Sequence, residues 1–314
     1  MEAFGWAGGY VHEIAVPLFS TQPRTPSPPV ATRAVLTNGG HGQPPGAANS
    51  TWLYAKVFTH PDRINEIIAS RIPHLLQAIG SEARWWFVRY RNSYETDHIR
   101  LRLATADRDA YARSLAALGD WGQQLRADGV AGRLAVDTYL PEIGRYGCGV
   151  SMTAAENVFA ADSAAVAAQL RHDSILGNDA AVGLVLGLVD IVAGFLGGQT
   201  AAMTWLRTRP VLPGTATADR AVLSEAIRLV QSDVGDRPGW TGQVAKTWTR
   251  RAAALAAYRT QLSADTDSDA VLESLLHMHH NRAAGVDRDA ERATRRMARH
   301  LALAVHARQP EASR

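Results

Sequence analysis

Two arginines two positions apart stand in the stretch "HIRLRL" (98–103). On a strand, Arg100 and Arg102 share one face while Ile99, Leu101 and Leu103 share the other. Neighbouring guanidiniums repel, so the pair either lies in water on an open sheet face or serves a carboxylate or phosphate that bridges it. A second pair, Glu142 and Arg145 in "PEIGRYGCG" (141–149), sits at a glycine-rich turn. It reads either as a surface ion pair, worth little, or as part of a polar site. The stretch "SLLHMHHNRAAG" (274–285) puts His277, His280 and Asn281 on one helix face, because positions three and four apart are neighbours. Histidine is the usual proton carrier near neutral pH, although a polar helix surface gives the same pattern. No HExxH motif or His-xxx-His pair occurs here, and the lone Cys148 excludes motifs built on two thiolates.

The elements that must position these residues follow from hydrophobic periodicity. "TWLYAKVFT" (51–59) alternates as a strand, and residues 60–80 open with His-Pro-Asp and continue with helical spacing. "RWWFVRYR" (84–91) and "HIRLRLAT" (98–105) form a hairpin, residues 107–127 a helix, and "GRLAVDTYLPEI" (132–143) a fourth strand. The order βαββαβ predicts an α+β fold, a ferredoxin-like antiparallel sheet with two helices on one face. From residue 151 onward only helical patterns appear, over 152–171, 179–196, 199–207, 217–232, 243–263, 268–283 and 287–307. This half is expected to form a helical layer over the open sheet face. The expected organisation is residues 1–50 as an N-terminal segment with a Pro/Gly-rich linker, 51–150 as the ferredoxin-like half, and 151–314 as the helical half.

Composition narrows the function classes. The chain has 314 residues, a formal net charge of +3 and 46% hydrophobic residues, as expected of a globular protein. Nearly every basic residue is Arg, with Lys only at positions 56 and 246, and no polybasic tract points to nucleic acid. A single cysteine suggests a reducing, cytoplasmic setting. The most apolar run, "AAVGLVLGLVDIVAGFLGG" (180–198), is broken by Asp190 and glycines, so a buried helix explains it better than a membrane span.

In order, "VHEIAVPL", "TWLYAKVF", "WWFVRYRN" with "HIRLRL", "DTYLPEIGRYGCGVSMTAAENVFAADS" and "LLHMHHNRAAG" resemble the C-terminal elimination domain of lantibiotic dehydratases. The same domain type occurs alone in thiopeptide-type bacteriocin biosynthesis. The resemblance runs from about residue 11 to 305 and departs from the family turn "EIERYGG" at Gly144 and Cys148. It implies a lyase that expels glutamate from glutamylated Ser or Thr of a ribosomally made precursor peptide, leaving dehydroalanine or dehydrobutyrine. It also implies a separate tRNA-Glu-dependent glutamylating partner, no cofactor, no metal, no direct nucleic-acid contact and no membrane; a homodimer is compatible with it. Arg100, Arg102, Glu142, Arg145 and His277 match the family's elimination motifs. Arg89, His98, His280, Asn281 and Arg282, in the same motifs, are expected to bind substrate. Two alternatives stay open: a pyridine synthase joining two dehydroalanines with loss of the leader, and a non-catalytic module binding leader peptide at a sheet edge.

Overall fold

The computed structural model describes residues 42–80, 83–176, 180–210, 219–232, 242–264 and 266–308. The "VHEIAVPL" segment and the first part of the linker lie outside the described residues. Strands β1 (Trp52–Phe58), β2 (Trp85–Tyr90), β3 (His98–Ala104) and β4 (Arg133–Asp137) form an antiparallel sheet in the order β2-β3-β1-β4. Helix α1 (61–79) joins β1 to β2, and α2 (Arg108–Ala127) joins β3 to β4. This is the α+β, ferredoxin-like arrangement that the alternating patterns predict.

Helix α1 departs from the simple expectation. Its stretches Pro61–Glu66 and Ile72–Ile79 are α-helical, while Ile67–Arg71 forms a π turn. Pro73 has no N–H to give the carbonyl four residues back, at Ala69. Arg171 takes that place, donating from Nε at 2.9 Å and Nη2 at 2.7 Å to the Ala69 carbonyl.

The sheet separates two cores. Leu53, Ala55, Val57, Phe87, Ile99, Leu101 and Leu103 face Ile67, Ile68 and Ile72 of α1 and Leu118 and Trp121 of α2. The opposite face begins with Trp52, Tyr54, Trp86 and Val88 and packs on a helical layer. That layer comprises the short α3 (Ile143–Tyr146), then α4 (Val150–Leu176), α5 (Ala180–Leu196), α6 (Gln199–Thr208), α7 (Arg220–Val230), α8 (Gly242–Gln261), α9 (Ser268–Ala284) and α10 (Arg288–Arg308). Asp267 caps α9 by accepting from the N–H groups of Asp269 and Ala270.

The apolar run is α5, buried along most of its length, and Asp190 within it accepts from Arg251 at 2.9 Å. Among the described residues no single helix is long and apolar enough to cross a membrane. Gly187 lets α5 approach α9 closely, since a Cβ there would collide with Nε2 of His279. Gly187→Ala is therefore expected to destabilise the fold by about 1–3 kcal/mol, read from the midpoint of urea unfolding. An unchanged midpoint would mean that the α5–α9 contact yields freely.

Candidate functional site

Register sets the neighbours of the arginine strand. Trp86 and Tyr54 lie opposite Arg102, Val88 and Lys56 opposite Arg100, and Tyr90 and Phe58 opposite His98. Arg102 is only 7% exposed and faces the helical layer. Its guanidinium carbon lies 4.3 Å from the Tyr54 ring centre and 4.1 Å from that of Trp86. Nη1 donates to the Arg100 carbonyl at 2.9 Å, while Nε is buried without a partner. No carboxylate among the described residues pairs with Arg102, and burial pulls its pKa down to about 10. The nearby Trp86 Nε1 is also a buried donor without a partner.

Arg100 is handled differently. It lies 3.3 Å from the Tyr90 ring centre and 3.4 Å from Glu95, which also binds Lys56 at 2.6 Å. The two guanidiniums thus do not share one bridging anion: Arg100 has its own carboxylate and Arg102 has none. His98 is fully buried between Phe58 and Tyr90. Its Nδ1 is 2.8 Å from the Thr96 carbonyl, and its Nε2 accepts from Arg100 Nε at 3.3 Å. Burial lowers its pKa, so this residue, expected to bind substrate, instead steers Arg100 from the interior.

Arg89, Asn281 and Arg282 are likewise engaged in structure rather than open to a substrate. Asn281 accepts from the Arg89 N–H and donates to the Arg89 carbonyl, each at 2.9 Å. Ser163 accepts from the Phe87 N–H at 3.1 Å, and Arg282 Nε donates to the Phe87 carbonyl at 2.9 Å. These side chains close the β2 edge at Phe87 and Arg89 to strand addition. The Arg89 guanidinium donates to the Arg282 and Ala283 carbonyls at the end of α9, where a cation suits the helix dipole.

Behind that edge lies a buried ionic network that sequence reasoning missed. Asp162 accepts from His279 at 2.8 Å and from Arg251 and Arg282 at 3.0 Å each. Burial would raise the Asp162 carboxyl, but His279 and the two arginines outweigh it and hold the group far below the usual carboxylate range. The network ties α4, α5, α8 and α9 to β2.

A short aromatic chain leads from Arg102 to α3. Trp86 packs on Phe159 with ring centres 5.2 Å apart, and Phe159 on Tyr146 at 4.8 Å. Burial pushes the Tyr146 hydroxyl up to about 12. Its neighbour Arg145 pairs with Glu142 at 3.2 Å, and both are about half exposed. Arg145 also lines an open cleft of about 650 Å³ with His277, Glu291, Arg288 and Arg292. His277 Nδ1 lies 2.8 Å from Glu291 Oε2. Burial would raise the Glu291 carboxyl, but the His277 hydrogen bond and the Arg295 charge outweigh it and set it at about 2. The Nδ1 of His277 directed at the Glu291 carboxylate is the arrangement of a histidine–carboxylate dyad. Among the described residues no group of three or more His, Cys, Asp or Glu side chains is placed to hold a metal ion.

His280, expected on the same polar face as His277, is instead 1% exposed, with neither ring nitrogen hydrogen-bonded. Burial pulls its pKa down to about 4, so it stays neutral in the folded protein. A folded pKa below the unfolded value of about 6.5 means stability that is full above pH 6.5 and lost as pH falls toward 4, about 3 kcal/mol in all. Urea unfolding at pH 7 and pH 5 should show this loss, and His280→Leu should flatten it. An equal pH dependence in both proteins would contradict the assignment.

The family model described as "Lantibiotic biosynthesis dehydratase C-term" matches residues 52–302. The subtilin biosynthesis protein SpaB of Bacillus subtilis is 27% identical over 305 residues, which are 93% of this chain and 29% of SpaB. The solved structure of the tRNA dependent lantibiotic dehydratase MibB from Microbispora sp. 107891 superposes with a TM-score of 0.69 at 21% identity, over 84% of this chain and 29% of MibB. The pyridine synthase TbtD, from thiomuracin biosynthesis, gives a TM-score of 0.48 at 16% identity, over 82% of this chain and 99% of TbtD. The chain thus spans 29% of the length of SpaB and of MibB. MibB shares the fold, and the family model runs from β1 into α10 across Arg102, Arg145 and His277, so the chain belongs to the lantibiotic biosynthesis dehydratase C-terminal family.

Proposed function

We propose that this protein eliminates glutamate from glutamylated Ser or Thr residues of a precursor peptide, forming dehydroalanine or dehydrobutyrine. The observation that carries the reading is Arg102, a buried guanidinium with an unpartnered Nε and no carboxylate beside it among the described residues. Such a group is costly to hold in isolation and is well suited to an incoming carboxylate. Membership of the dehydratase family supports the same direction. The glutamyl ester is supplied by a tRNA-Glu-dependent activity, in keeping with the tRNA dependence of MibB.

In the proposed step His277 Nε2 takes the α-proton, with Glu291 holding the imidazolium that forms. The electron pair of the Cα–H bond forms the Cα=Cβ bond, and the Cβ–O bond breaks toward the leaving glutamate carboxylate. Arg102 receives that carboxylate, and Arg145, oriented by Glu142, stabilises charge developing on the peptide carbonyl. Arg100 flanks the site with its charge already balanced by Glu95.

The test is binding of a peptide in which the glutamyl ester is replaced by a glutamyl amide, which resists elimination. The protein should bind it with affinity about 100-fold above Arg102→Met, in line with loss of a buried charged hydrogen bond. Equal affinity would place the glutamyl group away from Arg102.

A further inference from the structure

We propose that the arginine stripe of α10 is a docking groove for an acidic, extended stretch of the substrate peptide, with one apolar side chain of that peptide seated beside Trp205. The proposal rests on the elimination reading for the identity of the peptide, and on its own geometry for the groove.

Arg288, Arg292, Arg295 and Arg299 recur at spacings of four, three and four, which places them on one face of α10. Along the helix axis the stripe spans roughly 17 Å. At one end it borders the cleft that holds Arg145 and His277. At the other it borders a hollow of about 80 Å³ walled by Leu188, Trp205, Leu206, Leu276 and Ala298. Arg295 and Glu273, paired with each other, line both, so the two spaces adjoin at that pair. The hollow is about half the roughly 150 Å³ that admits benzene, a fit for one aliphatic side chain.

Charge selects the occupant. Glu273 and Glu291 are both bound to Arg295, Asp289 pairs with Arg292, and Asp269 with Arg209. Arg288 has no ion pair among the described residues, and Arg299 Nε is spent on the Arg209 carbonyl rather than on an acid. Acidic side chains of a peptide would complete this surface. A nucleic acid fits less well, because its backbone has no aliphatic group for the hollow walled by Leu188, Trp205, Leu206 and Leu276. An extended chain covers the stripe in about five residues. The groove therefore favours peptides with acidic residues beside the glutamylated Ser and an aliphatic residue about five positions from it.

The experiment is fluorescence polarisation with the full chain and a labelled synthetic peptide carrying Ser, intervening Asp residues and a Leu five positions on. A second peptide has Gln in place of Asp, and a variant protein carries Arg288→Glu with Arg292→Glu. Both substitutions are at the surface, where loss of the Arg292–Asp289 pair costs little, so folding is retained and a melting curve verifies it. The acidic peptide should bind about tenfold more tightly than the Gln peptide, and the variant should lose about tenfold, with both differences shrinking at high salt. Equal binding of the two peptides, an unaffected variant, or displacement of the acidic peptide by a lower concentration of single-stranded RNA would each overturn the proposal. Binding needs no turnover. Acidic preference without elimination would therefore sink the elimination reading alone, and elimination without acidic preference would sink the groove alone.

Discussion

Replacing Arg102 by Met is expected to slow glutamate elimination about 100- to 1,000-fold, the usual effect of removing a preorganised donor to developing negative charge. The same substitution should leave the protein at least as stable as its parent. Burial draws the Arg102 pKa from 12.5 down to about 10, so the folded state holds the charge at a cost of about 3 kcal/mol. Stacking on Tyr54 and Trp86 returns roughly 1–2 kcal/mol of that. Met fills a similar volume without the desolvation penalty, and such exchanges are neutral or stabilising. Lost rate with retained or increased urea stability is the signature of a residue kept for function. Arg102→Lys should not rescue the rate, because an ammonium cannot stack between two rings or bind a carboxylate with two parallel donors. A stability loss above about 2 kcal/mol in Arg102→Met would instead make Arg102 a structural residue.

The largest stability effect is expected at Asp162. Asp162→Asn leaves Arg251 and Arg282 buried, at 1% and 2% exposure, and removes the anion they share with His279. Breaking such a group from one side costs about 3–5 kcal/mol. In a chain of 314 residues that corresponds to a fall in melting temperature of roughly 5–8 °C. The carboxyl is held below its unfolded value, so its contribution is present above about pH 4 and is lost as pH falls below that. Parent and variant should therefore converge in stability as acid is added. A variant that melts with its parent at pH 7 would show that the network is not what fixes α4, α8 and α9 against β2.

The architecture was largely legible because strand alternation and helical spacing were strong, and the βαββαβ order leaves few ways to pair four strands. The face shared by Arg100 and Arg102 followed from strand geometry alone. Their different fates did not, because Glu95 reaches Arg100 from the hairpin turn while the helical layer leaves Arg102 without an acid. Asp162 lies 89 residues from Arg251 and 120 from Arg282, separations at which no local pattern reports a contact. Glu291, which holds His277, stands on the next helix, so spacing within α9 could not reveal the dyad. Arg89, Asn281 and Arg282 look like site residues because they are polar and clustered in motifs. Their polar atoms are instead taken by the β2 edge, the end of α9 and Asp162. A backbone edge is as demanding a partner as a ligand, and sequence does not distinguish the two.

The central claim is that this chain itself breaks the Cβ–O bond of a glutamylated residue. Mass spectrometry of a synthetic glutamyl-Ser precursor peptide, incubated with the protein alone, tests it most directly. The account predicts loss of the glutamyl adduct, release of free glutamate and a dehydroalanine in its place. An unchanged adduct, together with cyclisation and leader release from a peptide supplied with preformed dehydroalanines, would contradict it and assign the pyridine synthase reaction instead.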